Sequence, residues 1–378
     1  MQTTPETMFL IGLLIFWGIT YAAGKILHAE KHGFKILLFF LSYRSNRFKE
    51  AIEKIGEKNT LFWKTLSNLS VAFAIGLTIY VTYFLSSNLL KFFSPVMESV
   101  PVLPIVPAIT IRLDSLPYFF AAVTIIIIFH ELAHGVSAVA EKVAVKSAGL
   151  AVMLTFFGGF VEPEEKSFEN ASRTSKLRIL SVGSATNLMT GFLALLLLAG
   201  LFAPSSGVLV GGTVENGPLA SVGVQRFDVI YTVNNTEVNT LQSLADYLAN
   251  VTAGAVLVLK INDDKILNIT TENVDDRAVI GLSYGLNYHP CRLGFGRIIT
   301  ANTYLVLYWI FLAAFSVAVF NMLPVYPFDG EKLVYYCLEG YVSKEKRFSV
   351  RVWVNVVFLG LLLSNMVLSL WWFGLLSV

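Results

Sequence analysis

Leu116-Pro117-Tyr118-Phe119-Phe120-Ala121-Ala122-Val123-Thr124-Ile125-Ile126-Ile127-Ile128-Phe129-His130-Glu131-Leu132-Ala133-His134-Gly135 is the stretch on which the reading of this chain turns. From Leu116 to Phe129 it holds no charged side chain, and continued to about residue 141 it is long enough to cross a bilayer as a helix. Two histidines and a glutamate are set into it. The i, i+4 spacing puts both imidazoles on one helix face, where they can share one ion. Glu131, three residues before His134, can reach a water on that ion as a general base. An ionised carboxylate near hydrocarbon depth costs about 2.5–3.5 kcal/mol on insertion scales. A chain that accepts this cost is expected to use the group.

The rest of the composition agrees with a membrane setting. Of 378 residues, 55% are hydrophobic and 14% charged, too apolar for an ordinary soluble protein. The net charge of +2 comes without a basic stripe, so no nucleic-acid partner is expected. Cys291 and Cys337 fall in different expected compartments and suggest neither a disulfide framework nor a thiolate metal site. His28 and His32 share the i, i+4 spacing but lie among Lys25, Glu30, Lys31 and Lys35, and read as juxtamembrane surface.

Six spans are expected, at 8–27, 69–93, 117–141, 179–203, 299–321 and 350–376. Met1 to Glu6 lacks a positive n-region, so the first is read as a span and not as a cleaved leader. Lysine and arginine gather between spans one and two, after span three and after span five, which makes those loops cytoplasmic. Loop 94–116 carries only Arg112 and faces outside, as do the N-terminus, the region 204–298 and the C-terminus. Phe34 to Tyr43 is too short to cross and is expected to lie along the inner surface. His130 lies 13 residues past Pro117, roughly 20 Å from the outer end of an ideal helix and in the cytoplasmic half of the bilayer.

A zinc site of this kind needs a third protein ligand. The best candidate is Asp329, in Asn321-Met322-Leu323-Pro324-Val325-Tyr326-Pro327-Phe328-Asp329-Gly330. Two prolines break the helix at membrane depth, which is tolerated only against protein or a water-lined cavity. The other reading is a turn carboxylate capping a helix that starts near Glu331. Spacing alone leaves the two about even.

Taken together, His130-Glu131-x-x-His134 in one span and Asn321-x-x-Pro324-x-x-x-x-Asp329-Gly330 at the end of a later one resemble the site-2 protease family of intramembrane zinc metalloproteases. The resemblance covers about 117–203 and 299–340. It implies one zinc ion held by His130, His134 and Asp329, with Glu131 as the catalytic acid/base. It implies that Asn321 holds substrate or stabilises its oxyanion, which makes Glu131 and Asn321 the catalytic pair. Ala148 to Val161 reads as two short apolar strands and resembles the family's membrane-dipping hairpin, whose open edge would accept an unwound substrate. Glu162, Glu164 and Glu165 read as a solvated turn. Many family members carry Gly-Pro-x-x-Asn in the fourth span. Here it is Gly183-Ser184-Ala185-Thr186-Asn187, so the bend a proline would give is not expected, and Asn187 reads as interhelical glue.

Residues 205–287 alternate short β-rich runs with Asn, Asp and Gly turns, around a helix starting near Thr240 or Ser243. Val214 to Val224, followed by Asp228 to Asn234, resembles a PDZ domain of the protease-associated kind, which would bind an extended peptide along a sheet edge. The family often has Gly-Asp where this chain has Phe227-Asp228.

The expected fold is thus a polytopic α-helical membrane protein of about six transmembrane helices, with a membrane-associated β-hairpin and an extracytoplasmic PDZ-like α+β domain. Its parts are a two-span region (1–116), a first half of the catalytic core (117–203), the outer domain with its connector (204–298), a second half of the core (299–349) and a final span (350–378). The expected function is zinc-dependent endoproteolysis, within the bilayer, of membrane proteins with a single transmembrane helix. The alternative is a non-catalytic membrane scaffold binding peptides through the outer domain, which would have no need of Glu131. A metal-ion transporter would want polar residues on several spans at similar depth, and the first, second and sixth are nearly devoid of them.

Overall fold

A computed structural model describes residues 5–94, 96–107, 109–262 and 265–374; the end of the sixth expected span, 375–376, lies outside them. In chain order the elements are α1 (Pro5–Ile26), β1 (Phe34–Leu37), β2 (Phe40–Arg44), α2 (Asn46–Lys58), α3 (Thr60–Lys91), α4 (Leu116–Ala140), β3 (Val145–Met153), β4 (Phe156–Pro163), α5 (Glu165–Asn170) and α6 (Arg173–Leu201). Then come β5 (Gly207–Thr213), α7 (Pro218–Ser221), β6 (Val229–Val233), β7 (Thr236–Glu237), α8 (Leu241–Leu248), β8 (Val256–Ile261), β9 (Lys265–Thr270), β10 (Glu272–Val274), β11 (Arg277–Val279) and β12 (Leu282–Tyr288). The chain closes with α9 (Arg297–Phe320), α10 (Asp329–Leu338) and α11 (Lys344–Phe373). There are two compact units, Met1–Leu193 with Trp309–Val378, and Ala194–Tyr308.

Among the described residues six helices, α1, α3, α4, α6, α9 and α11, are long and apolar enough to cross a membrane, and each expected span falls on one of them. In α4, Pro117 sits in the first turn, where its missing N–H costs nothing. Trp309 of α9 meets the α4 ring Phe119 edge-on, with centroids 5.6 Å apart. At the ends of α4 and α6 the carboxylate of Glu141, nearly buried, accepts from Arg178 Nη1 at 2.8 Å and Ser175 Oγ at 2.6 Å. The proline-free stretch 183–187 lies within α6, which runs as one helix from Arg173 to Leu201.

Strands β1-β2-β3-β4 form one antiparallel sheet in that order. Phe34 to Tyr43 was expected along the inner surface; it forms a second hairpin, β1–β2, and joins the first through Tyr43↔Leu150 and Phe40↔Met153. Strand pairing is the economical solution for a segment too short to satisfy its own backbone as a helix beside lipid. The register brings both hairpin turns to one end, where Leu37, Leu38, Met153 and Leu154 are exposed. Phe39 and Leu154 hold left-handed backbone there (φ 60° and 54°), and Leu154 N–H donates to Phe39 O at 2.9 Å. Asn or Gly would be the usual choice at such positions in water. Trp17 of α1 ties the tip down, its indole N–H donating to Leu154 O at 2.9 Å.

The 148–161 hairpin has a neighbour on each side: β3 pairs with β2, and β4, the terminal strand of the sheet, meets a helix. Helix α4 lies along β4: Thr124 Oγ1 donates to Phe157 O at 3.1 Å, and Val161 N–H donates to Glu131 Oε2 at 3.1 Å. Gly158 permits the approach, since a Cβ there would overlap Ile127. At membrane depth an idle strand edge is costly, and the neighbouring helix supplies side-chain partners at these two positions.

The second unit is built on the sheet β12-β5-β6-β8-β9, with β7 paired to β6. Val208, Val210, Ile230, Leu257, Leu259 and Ile261 fill its core, and β8 alternates exposed and buried residues along its length. Helix α8 begins as expected, Thr240 accepting from Ser243 N–H. At the Phe227-Asp228 turn the left-handed conformation forms without glycine: Phe227 has φ 71°, with the Arg226 guanidinium 4.8 Å from its ring centroid. Asp228 anchors the turn through Gln225 N–H at 2.9 Å and Asn262 Nδ2 at 2.9 Å.

Candidate metal and catalytic site

The ligand-type side chains come from two places on the first unit. Helix α4 presents His130 and His134 one turn apart, their rings 4.6 Å between centroids and steeply inclined. The segment after α9 brings in Asp329. Here the chain leaves the helix at Phe320, passes Pro324 and a cis Tyr326–Pro327 peptide, and turns back so that Gly330 N–H donates to Asn321 O at 2.9 Å. Gly330 is the residue that allows this return, because a Cβ there would strike the Met322 backbone. Asp329 begins α10, and its carboxylate bonds to Asn321 and His134. It points to the histidines.

The three ligand-type atoms form a nearly equilateral triangle. His130 Nε2 and His134 Nε2 are 3.0 Å apart, and Asp329 Oδ2 is 3.2 Å and 3.1 Å from them. Two ligand atoms on a tetrahedral zinc with bonds of about 2.0–2.1 Å stand about 3.3 Å apart, so the triangle has the size such an ion needs. Among the described residues, this is the one group of three His, Cys, Asp or Glu side chains placed to hold a metal. Space is kept for it. Gly183 of α6 faces the cluster, and a Cβ there would overlap His134 and lie 2.7 Å from His130 Nε2. The donor set and the reserved space both fit a small divalent ion.

The surroundings fix each member. His134 Nδ1 is 2.6 Å from Ile179 O, which accepts its proton and leaves Nε2 as the lone-pair nitrogen. Asn187 Nδ2 is 3.1 Å from His130 Nδ1. Asn321 Nδ2 donates to Asp329 Oδ2 at 2.7 Å and to Ser184 Oγ at 3.3 Å. Both of its N–H groups are thereby engaged, and an oxyanion role requires the Ser184 contact to give way. Glu131 projects beside the cluster, with Oε2 held by Val161 N–H.

A cavity of about 610 Å³ joins Glu131, His134 and Asp329 to a polar mouth with Glu162, Glu165 and Lys332. Glu162 lies on β4 and not in a free turn. The hydrogen bond from Lys146, and then that from Ser147, hold its carboxyl below the ordinary value. His28 and His32 are exposed and take no part. Asn88 of α3 and Asn365 and Ser369 of α11 are buried polar residues on spans expected to lack them. They bond to one another and to residues 100–102, away from the histidines.

Sequence reasoning singled out His130, Glu131, His134, Asn321 and Asp329, and the structure brings all five together. It missed the functions of Gly183, Ser184, Ile179 O and Val161 N–H. A signal existed for part of this: residues 179, 183 and 187 follow each other at i, i+4, i+8 and share one face of α6. Main-chain partners such as Ile179 O carry no side-chain signal at all.

The family model for peptidase family M50 matches residues 118–365, more than half of the chain. An uncharacterized protein of Methanocaldococcus jannaschii is 25% identical over 339 residues, covering 87% of this chain and 85% of its own. Among solved structures, the PDZ domain of the SdrC-like protein from Listeria monocytogenes is 20% identical and covers 21% of this chain and 90% of its own, at a TM-score of 0.20, too low to support a shared fold. With six helices able to cross a membrane and this match, the protein is a multi-pass membrane protein that belongs to peptidase family M50, the site-2 protease family of zinc metalloproteases.

Proposed function

We propose that the protein is an intramembrane zinc endopeptidase, cutting membrane proteins with a single transmembrane helix within or near the cytoplasmic half of the bilayer. One observation carries this reading: His130, His134 and Asp329 converge to 3.0–3.2 Å, beside a cavity lined by His134, Asp329 and Glu131. His130 and His134 through Nε2, and Asp329 through Oδ2, would hold the ion. When bound, the ion supplies Lewis-acid chemistry, polarising the scissile carbonyl and acidifying a water. Glu131 takes the proton that the attacking water gives up, at Oε1, the oxygen not held by Val161. It returns that proton to the nitrogen of the leaving amine as the C–N bond breaks. Asn321 keeps the Asp329 carboxylate turned toward the histidines.

The cavity explains how water arrives. Its charged mouth lies at the end of the spans where lysine and arginine gather, the end expected to be cytoplasmic. A helical peptide bond is shielded by its own hydrogen bonds, so a substrate must unwind to reach Glu131. The outer unit is read as PDZ-like. Its terminal strand β12 pairs with β5 and has α8 beside it, tied by Leu241 N–H to Asn287 Oδ1 at 2.7 Å, an arrangement in which an extended peptide could add to the sheet. The scaffold alternative uses that unit alone and leaves Glu131 beside the histidines without a purpose.

The test is zinc quantification on purified protein, followed by cleavage of a single-span substrate with and without a chelator. One zinc per chain is expected, with cleavage abolished by the chelator and restored by zinc. Protein with no bound metal and no cleavage, but with peptide binding to the outer unit, would establish the scaffold instead.

A further inference from the structure

Asn187 is completely buried, and its Oδ1 has no hydrogen-bond partner. Its Nδ2 faces His130 Nδ1 at 3.1 Å. A half-turn of the amide exchanges nitrogen and oxygen within the same envelope, so the hydrogen-bonding chemistry decides between two arrangements. With Nδ2 toward the ring, the amide donates to Nδ1 and the imidazole proton must sit on Nε2. That nitrogen is the one 3.0 Å from His134 Nε2 and 3.2 Å from Asp329 Oδ2. A protonated Nε2 has no lone pair for an ion. With Oδ1 toward the ring, the amide accepts the Nδ1 proton and the Nε2 lone pair faces the cradle. His134 already has the equivalent arrangement through Ile179 O at 2.6 Å.

The partners of both imidazoles come from one face of α6. Ile179 addresses His134, Asn187 addresses His130 two turns later, and Gly183 between them leaves the space in which the two Nε2 atoms meet. We infer that Asn187 is a positioning residue: its Oδ1 accepts the Nδ1 proton of His130 and fixes the tautomer whose Nε2 binds the ion. This assigns Asn187 more than the holding together of two helices, and it rests on the zinc reading above.

Zinc affinity of the full chain in detergent, measured by competition with a chromophoric chelator, tests it in Asn187→Leu and Asn187→Asp, with helix content and Tm alongside. Leucine matches the shape but accepts no proton, and zinc binding should weaken about 10–100-fold, the usual effect of losing an outer partner of a metal-bound histidine. Aspartate keeps an acceptor in place and should bind zinc far closer to wild type than to the leucine variant. Should Asn187→Leu fail to fold, Asn187→Ala replaces it in the same comparison. Wild-type affinity in the leucine or alanine variant, with only a lowered Tm, would overturn the inference and leave Asn187 as interhelical glue. An aspartate variant as weak as the leucine one would also overturn it. A wild-type chain that takes up no zinc removes the zinc reading itself, whereas any failure confined to the variants removes Asn187 alone.

Discussion

Helices α1 and α6 are equally apolar over a membrane-crossing length, yet α1 is almost wholly exposed there and α6 far more buried. Their glycines show what separates them. An added Cβ at Gly12 or Gly18 of α1 would meet nothing within 4 Å, whereas at Gly183 of α6 it would run into both imidazoles. Ser181, Ser184 and Asn187 of α6 are fully buried, and the last two touch the site or its neighbours. In α1 the indole N–H of Trp17 reaches a strand tip and not the histidines. Apolarity tells that a helix can cross a bilayer. In α6 the buried small and polar residues are the ones that meet the chemistry, whereas those of α3 and α11 bond to one another.

The comparison breaks hardest at the helix that α6 faces. Glu131→Gln leaves both imidazoles and Asp329 in place and removes the proton acceptor. Cleavage should fall about 10²–10⁴-fold, the usual worth of a general base, with zinc content unchanged in the same sample. Wild-type turnover in that variant would take Glu131 out of the reaction. Asp329→Asn should lower zinc content and cleavage together, and an unaltered stoichiometry would give Asp329 another role. Gly183→Ala is the sharper probe of α6, because the new methyl must push the imidazoles apart. Overpacking of this kind costs about 1–3 kcal/mol, or roughly 5–150-fold in zinc affinity, readable by chelator competition.

A smaller effect is expected where α11 holds the segment carrying Asp329. Glu331 is buried and accepts from Arg351 Nε at 2.5 Å and Nη2 at 2.9 Å, while Asn355, one turn on, accepts from Tyr326 N–H at 2.7 Å. Arg351→Met would leave a buried carboxylate unpaired. Arg351 is itself 41% exposed, so the loss should fall below the 3–5 kcal/mol typical of fully buried pairs, at about 2 kcal/mol. Thermal unfolding measures it, and adding Glu331→Gln should restore part of the loss. No recovery would mean that Arg351 acts through packing alone.

Much of this was legible in the chain itself, for reasons that can be named. The spans read cleanly because hydrocarbon thickness imposes a length on each apolar run. The histidine pair read cleanly because one helical turn is a fixed spacing. Asp329 did not follow from spacing, since Asp-Gly after a proline break is equally a turn. Only the 195-residue return that sets its carboxylate 3.1 Å from His134 separates the two readings. The β1–β2 hairpin was missed because Phe34 to Tyr43 shows no clean alternation. Its partner strand lies more than 100 residues away, with Tyr43 paired to Leu150. The two contacts of β4 with α4 were hidden for the same reason, because Thr124 and Glu131 reach the strand from a helix read for its other face.

The smallest effect belongs to α1, and it tests the contrast with α6 from the other side. Gly12→Ala and Gly18→Ala add a methyl group to open space, and alanine is the better helix former by about 1 kcal/mol in water. Both variants should fold at least as well as wild type, with zinc affinity and cleavage unchanged. Gly24 is the internal control on the same helix, since a Cβ there overlaps Ile36 of β1 and should loosen the hairpin. If alanine at 12 or 18 slows cleavage while zinc affinity holds, that face of α1 is used by the substrate on its way in. The difference between α1 and α6 would then be one of which partner each helix meets, and not of whether it meets one.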